Sequence, residues 1–358
     1  MDDSDTDLPF IVTVAPLGDI TNPKTNNVTL VNANTKTIVK NLTSFDEPTY
    51  ETLDGATDYM YISNDGSGNV SVLDLSTNVI LKNINLESIA TRGTYNPENN
   101  VMYIPTLSNI SIINGNTNEL LGFINVTYSP TASTLDTSNG DIYVANCFEN
   151  DVSVINSATN MLVKDINVGS HPRAITYDPM NGYVYVVNQG SNDVTVINGV
   201  TNTVITTVKV QHYPRAIAYD SSNGNLYVAD TGSSNVTVIN GMTNTVTATI
   251  ATQTNPCGLA YDSINGNIYV SIEQHYMVSV INPSESKVFA NITVGSGPIF
   301  MTFDSSNGYI YVSNYFSKNV SVIDGSSNKV IKSINVGAHL AGLSYDFVSF
   351  HLADIDIH

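Results

Sequence analysis

At 358 residues the chain exceeds what one compact core usually supports, so it is either several domains or one closed repeat architecture. It carries 13 Lys plus Arg against 32 Asp plus Glu; the net charge of −19 reflects missing bases rather than surplus acids, and excludes a basic nucleic-acid footprint. Hydrophobic residues at 42%, spread evenly, exclude a disordered chain, and Cys147 and Cys257 are too few for a disulfide scaffold and lack the CxxC spacing of a metal or thioredoxin-type site.

The opening MDDSDTDLPF is acidic where a signal peptide would be basic and then apolar, and no long apolar run follows, so the chain is expected neither to insert in a membrane nor to direct its own export. Residues 1–9 read as an acidic tail. Strands are expected near 10–14, then at 28–32 and 37–42, and PTYETLD at 48–54 opens a unit that recurs to the end. Its marker tyrosines, Tyr61, Tyr103, Tyr143, Tyr185, Tyr227, Tyr269 and Tyr311, are spaced 42, 40, 42, 42, 42 and 42 residues apart. So regular a period marks a repeat fold, and about 42 residues hold four short strands with their turns.

One unit shows the division: RAIAYD (215–220) is strand a, NLYVAD (225–230) strand b, NVTVIN (235–240) strand c and TVTATI (245–250) strand d. DSSNG joins a to b and NGMTN joins c to d, both rich in residues that tolerate positive φ. Two units depart from the template: residues 101–114 are two residues short, and 268–282 place Ile272 where Asn or Asp otherwise follows strand b. The last strand a is LAGLSYD (340–346), with 347–358 left as a C-terminal extension. The whole span 10–346 is expected to be one all-β domain, a β-propeller of four-stranded antiparallel blades, because a helix-free meander with no Leu-rich spine favours radial closure.

The motifs Y-V-x-N, N-x-V-[ST]-V-I-[ND], T-N-x-V and V-G-x-x-P-R-A-I-x-Y-D resemble the YVTN β-propeller repeat family of archaeal surface-layer proteins and secreted bacterial proteins. Strand c occurs eight times, beginning at Val28, Val70, Ile110, Val152, Val194, Val236, Val278 and Val320. The chain begins part-way through a unit, so eight blades are expected, the closing one sharing strand a from the C-terminal side with b, c and d from the N-terminal side. The alternative is seven blades with terminal extensions.

The a-to-b and c-to-d turns repeat one template, whereas the b-to-c and d-to-a loops vary, and variable loops on a rigid frame are where specificity is usually placed. The candidate ligand-binding residues on that face are His171, Arg173, His212, Arg215, His275, Tyr276, Tyr315, Phe316 and His339, with Phe148, Tyr213 and both cysteines nearby. Histidines and arginines there suit an anion or a metal, but no local ligand motif accompanies them, and the plainer alternative is loop entries whose arginines bind carbonyls or a neighbouring Asp. The marker tyrosines are expected to pack between blades.

Eight N-x-[ST] sequons, at Asn27, Asn41, Asn69, Asn109, Asn125, Asn235, Asn291 and Asn319, would be glycosylation acceptors in an exported protein, although five belong to the strand-c template itself. No nucleophile elbow, phosphate loop, zinc signature or paired-carboxylate motif is present, and no metal or other cofactor is expected. The expectation is an extracellular or cell-surface module for structure, adhesion or recognition, without catalysis, whose partners are cell-surface proteins or glycans. The resemblance also implies an alternative, a metal-dependent lyase-like or haem-binding propeller using the His/Arg face.

Overall fold

The computed structural model describes residues 10–15, 26–127, 129–337 and 342–345; the expected tail (1–9), the extension (347–358) and His339 lie outside the described residues. The protein is an all-β propeller of four-stranded antiparallel blades. Seven blades are built from four consecutive strands each, starting with Pro48–Asp54, Tyr59–Asn64, Asn69–Asp74 and Val79–Asn85 and ending with Pro298–Asp304, Tyr309–Asn314, Asn319–Asp324 and Lys329–Asn335. An eighth four-stranded sheet is composite: Phe10–Ala15, Asn27–Asn32 and Thr37–Leu42 are joined by Gly342–Tyr345, with Ile11 opposite Tyr345 and Val14 opposite Gly342. The innermost strands contact one another in sequence all the way round, and Gly342–Tyr345 touches both Pro298–Asp304 and Pro48–Asp54.

Burial falls from the inside of each blade to its edge, and the residue types follow. Strand b is buried on both faces, as in Tyr183–Asn188, which explains its unbroken Val, Ile and Tyr. Strand d, such as Thr203–Lys209, buries only its sixth residue and alternates freely with polar groups. Each core cluster joins two neighbouring blades; Tyr185, Val194, Val196 and Val208 of blade 4 pack on Leu226, Val228 and Ile239 of blade 5. Burying one such aliphatic side chain stabilises by about 1.5–3 kcal/mol, so the inter-blade seams carry the fold. The composite sheet is packed in the same way on both sides, with Val31 and Ala33 against Tyr311 and Val322, and Val28 and Leu30 against Met60 and Ile62.

The turns follow their sequence. Asp178 Oδ1 accepts the amide of Met180 at 2.9 Å and Gly182 closes the turn at φ 72°, a conformation that a side chain at that position would strain. At the c-to-d turns Gly241 is required for another reason: a Cβ there would meet Asp178 Oδ2 of the preceding blade at 2.8 Å. The turn face is not featureless, as the repeated template implied. Met180, Val200, Met242 and Ile264 stand 61%, 80%, 82% and 64% exposed on it, so this face too offers apolar contact.

Candidate functional site

Every contiguous blade except blade 2 begins with a proline paired to the last residue of strand b, and pairing resumes only after an extra residue. In blade 4, Pro172 faces Asn188 and Ala174 faces Val187, which leaves Arg173 in the bulge. Blade 5 does the same with Arg215, blade 3 with Thr131, blade 6 with Cys257, and blade 7 with Ile299 and Phe300. A bulge bends its strand and re-aims the extra side chain. These six residues all line one cavity of about 450 Å³ at the axial mouth.

Blade 2 is irregular: an isolated bridge between Ala90 and Thr106 precedes a short inner strand, Thr94–Asn96, and Arg92 lies between them and also lines the cavity. The chain contains three arginines, and all three line this cavity, whose wall includes no Asp or Glu among the described residues. Tyr50, Thr91, Thr106 and Ser129 add hydroxyls, while Ile89, Leu259 and Met301 add apolar wall.

The arginines differ in their partners. Arg173 is exposed and makes no side-chain hydrogen bond or ion pair among the described residues, though its charge acts on the Cys147 thiol. Arg215 Nη1 lies 3.5 Å from Glu273 Oε2, and Arg92 Nη2 lies 3.2 Å from Glu51 Oε1. Arg215 therefore does pair with an acid, though Glu273 comes from the next blade's b-to-c loop rather than being an adjacent Asp. Glu51 is fully buried, and burial raises its carboxyl to about 7 against the lowering effect of Arg92. Cys257 is in the cavity wall with Sγ 3.2 Å from Ser271 Oγ, and burial pushes its thiol and that of Cys147 up, which leaves neither poised as a thiolate.

The remaining candidates sit on the rim rather than in the cavity. His171 bonds Ser170 Oγ through Nδ1 at 2.9 Å and stands edge-on to Phe148; His275 Nε2 lies 2.6 Å from Thr254 Oγ1; His212 is exposed, its amide bound to Ser233 Oγ at 2.7 Å. Phe148, Tyr213, Tyr276 and Phe316 are 62%, 62%, 53% and 60% exposed, and Tyr315 packs edge-on against Phe316 at 5.2 Å. Among the described residues no group of three or more His, Cys, Asp and Glu is arranged to hold a metal ion. The structure thus brings Arg173 and Arg215 together and leaves the histidines separate. Sequence reasoning missed Arg92 because it belongs to the one blade with a broken inner strand, and Glu51 because it sits inside a regular strand rather than in a variable loop; the available signal was that Arg92 is the one other arginine in the chain.

The profile of the NHL repeat family matches residues 212–239. No curated protein matches the chain in sequence. Among solved structures, the hydrazine synthase of Kuenenia stuttgartiensis superposes with a TM-score of 0.63 at 18% identity, over 79% of this chain and 96% of that one. The dihydro-heme d1 dehydrogenase NirN, in complex with DHE, gives 0.79 at 12% identity over 95% and 75%. A functionally unknown protein from Desulfotomaculum acetoxidans DSM 771 gives 0.67 at 14% identity over 95% and 99%. At these identities the likeness is one of fold, and with the repeat match it identifies the chain as a repeat β-propeller.

Proposed function

We propose that this propeller is a recognition module without catalytic activity, of the YVTN surface-protein type, that binds a carboxylate-bearing ligand such as an acidic glycan at its axial mouth. The observation that carries the reading is the convergence of all three arginines on one cavity in a chain of net charge −19. Guanidinium groups offer five donors in a planar fork suited to carboxylates, and each paired arginine here has a single carboxylate contact, leaving donors free. The volume of about 450 Å³ falls in the range of small-molecule sites, and the exposed rim aromatics suit the apolar faces of sugar rings. An extracellular or cell-surface setting, with surface proteins or glycans as partners, agrees with the eight sequons.

The test is binding of trigalacturonate, with a neutral galacto-trisaccharide as control. Arg173→Ala is expected to weaken binding roughly tenfold or more, since one charge-assisted hydrogen bond contributes about 1.5–3 kcal/mol. Replacing Met180, Val200 and Met242 on the turn face by Ser is expected to leave it unchanged. Loss of binding in the turn-face variant alone would show that the wrong face has been assigned.

A second reading, a cofactor-binding propeller, draws on the likeness to NirN, which is in complex with DHE. An absorption spectrum and metal analysis of protein purified from its native host separate the two.

A further inference from the structure

We propose that the axial mouth takes up its anion together with a proton, which Glu51 accepts as it releases Arg92. The inference rests on the reading of the mouth as an anion site and adds its regulation. In strand register Glu51 faces Ile62, the position held by Ile175, Ile217, Leu259 and Met301 in blades 4 to 7 and by the neutral Ser133 in blade 3, so a carboxylate stands where these blades place an uncharged and mostly apolar side chain. It is fully buried; Oε1 meets Arg92 at 3.2 Å and Oε2 has no hydrogen-bond partner. Arg92, by contrast, is half exposed and forms part of the cavity wall.

An isolated buried carboxylate is costly in its charged form, and Arg92 is what offsets that cost. A ligand carboxylate that draws on the Arg92 guanidinium removes the compensation, so Glu51 takes a proton from solvent to become a neutral acid while Arg92 keeps its charge and passes its ion pair to the ligand. Burial already holds the Glu51 carboxyl at about 7, so the exchange is poised near neutrality. Among the described residues Arg92 is the one charged group that acts on Glu51; Asp46, Glu47 and Asp65 flank the entry to its strand, with Asp65 Oδ1 accepting from Thr49 at 2.9 Å. Arg215 and Glu273 form the corresponding pair across the mouth, but Glu273 is 29% exposed and lacks this burial.

The sign follows from linkage: the Glu51 carboxyl sits at about 7 in the free mouth and higher once Arg92 is drawn away, so anion affinity rises as pH falls toward about 7, by at most tenfold per pH unit for one coupled proton, and levels off below it. The experiment is calorimetric titration of the whole chain with trigalacturonate, whose carboxyl groups stay ionised between about pH 5.5 and 8. It is run in buffers of different ionisation enthalpy so that proton uptake is read directly. Wild type is expected to take up a fraction of a proton near pH 7, and Glu51→Gln and Glu51→Met to bind with affinity nearly independent of pH. A variant with His171, His212 and His275 changed to Asn, which separates Glu51 from the rim imidazoles, should keep the coupling. Glu51→Met introduces the residue that blade 7 carries at this register, and the wild-type proton count decides the matter even if a variant does not fold. Binding without proton uptake, or Glu51 variants that retain the wild-type pH slope, overturns the proposal; no binding at any pH overturns the anion site and the coupling with it.

Discussion

Tyr185 shows what the repeated motif accomplishes at the level of one side chain. Its hydroxyl, buried in blade 4, donates to Asn244 Oδ1 at 2.7 Å and lies 3.1 Å from the Gly241 carbonyl, both in the c-to-d turn of blade 5. Tyr103 with Asn160 and Tyr269 with Asn328 repeat the contact, so the Tyr of Y-V-x-N and the Asn of T-N-x-V are two halves of one inter-blade bond. Tyr185→Phe is expected to cost about 1–2 kcal/mol in chemical denaturation, because a buried acceptor loses its donor. The bond is missing at Tyr227, where blade 6 supplies Ser286 at φ 49° instead of Asn. Ser286→Asn is expected to stabilise by up to about 1 kcal/mol, since Asn tolerates that left-handed backbone and restores the acceptor; unchanged stability would show that the bond is not transferable. A second lapse is Asp230, where blades 1, 3, 4 and 7 have Asn64, Asn146, Asn188 and Asn314. Asn188 Nδ2 donates to Asp193 and to Thr195, whereas Asp230 accepts from Thr237 at 2.5 Å and has its other oxygen buried without a partner. Burial raises its carboxyl to about 7. A raised acid stabilises the fold below the unfolded value near 4 and loses that contribution as pH rises through about 7. Asp230→Asn is therefore expected to gain on the order of 1–3 kcal/mol at pH 7.5 and little at pH 4, measured by urea denaturation at the two pH values.

Two bulges in every contiguous blade except blade 2 divide the labour between elements. The inner one aims residue x of P-x at the axis, and the outer one interrupts pairing of strands c and d, as between Val196 and Ile197 or Val154 and Ile155. An outer edge with a bulge and exposed polar groups resists pairing with another molecule. Blade strands, turns and tyrosine packing could be read from the sequence because seven copies repeat one solution, so a chance pattern in one copy is checked by the others. The mouth could be read only in part. Arg173 and Arg215 occupy the repeated bulge position, but Arg92 and Glu51 break the template, and nothing in linear spacing announces that residues 41 apart meet across two blades. The sequons divide by element in the same way. Asn41, Asn125 and Asn291 lie exposed on outer strands, and Asn41 and Asn291 have Oδ1 held by Thr29 and Ser279, which leaves Nδ2 for a sugar. Asn27, Asn69, Asn109, Asn235 and Asn319 are half-buried at the start of strand c. In a secretory host that attaches N-glycans, peptide mapping is expected to find the outer-strand sites occupied and the strand-c sites largely bare; comparable occupancy at Asn69 or Asn319 would contradict this ordering.

At the scale of the whole ring, the composite sheet gives the inner strand Gly342–Tyr345 its pairing partner and covers the second edge of Phe10–Ala15, whose other edge pairs with Asn27–Asn32. Closure thus depends on hydrogen bonds and packing rather than on charge, and among the described residues ion pairs are few: Arg92–Glu51, Lys209–Asp193, Arg215–Glu273 and Lys287–Glu285. This sets the response to acid. Desolvation raises the carboxyls of Glu51, Asp65, Asp141, Asp230 and Asp262. Only two described carboxyls are shifted downward: Asp74, where bonds from Ser76 and Thr77 outweigh desolvation, and Asp324, held by Ser326 and Ser327. The raised group contributes stability that grows as pH falls toward about 4, and the lowered pair contributes stability that is lost only below it. Protonation also relieves a net charge of −19, and the positive charge left behind comes from 13 Lys plus Arg and 6 His spread over 358 residues. The melting temperature is therefore expected to rise from pH 8 to a maximum near about pH 4–5 and to decline only gently below it. Circular dichroism melts across that range check the curve; a maximum at or above pH 7, or cooperative unfolding at ambient temperature above about pH 3, would mean that carboxylate pairing holds the ring together after all.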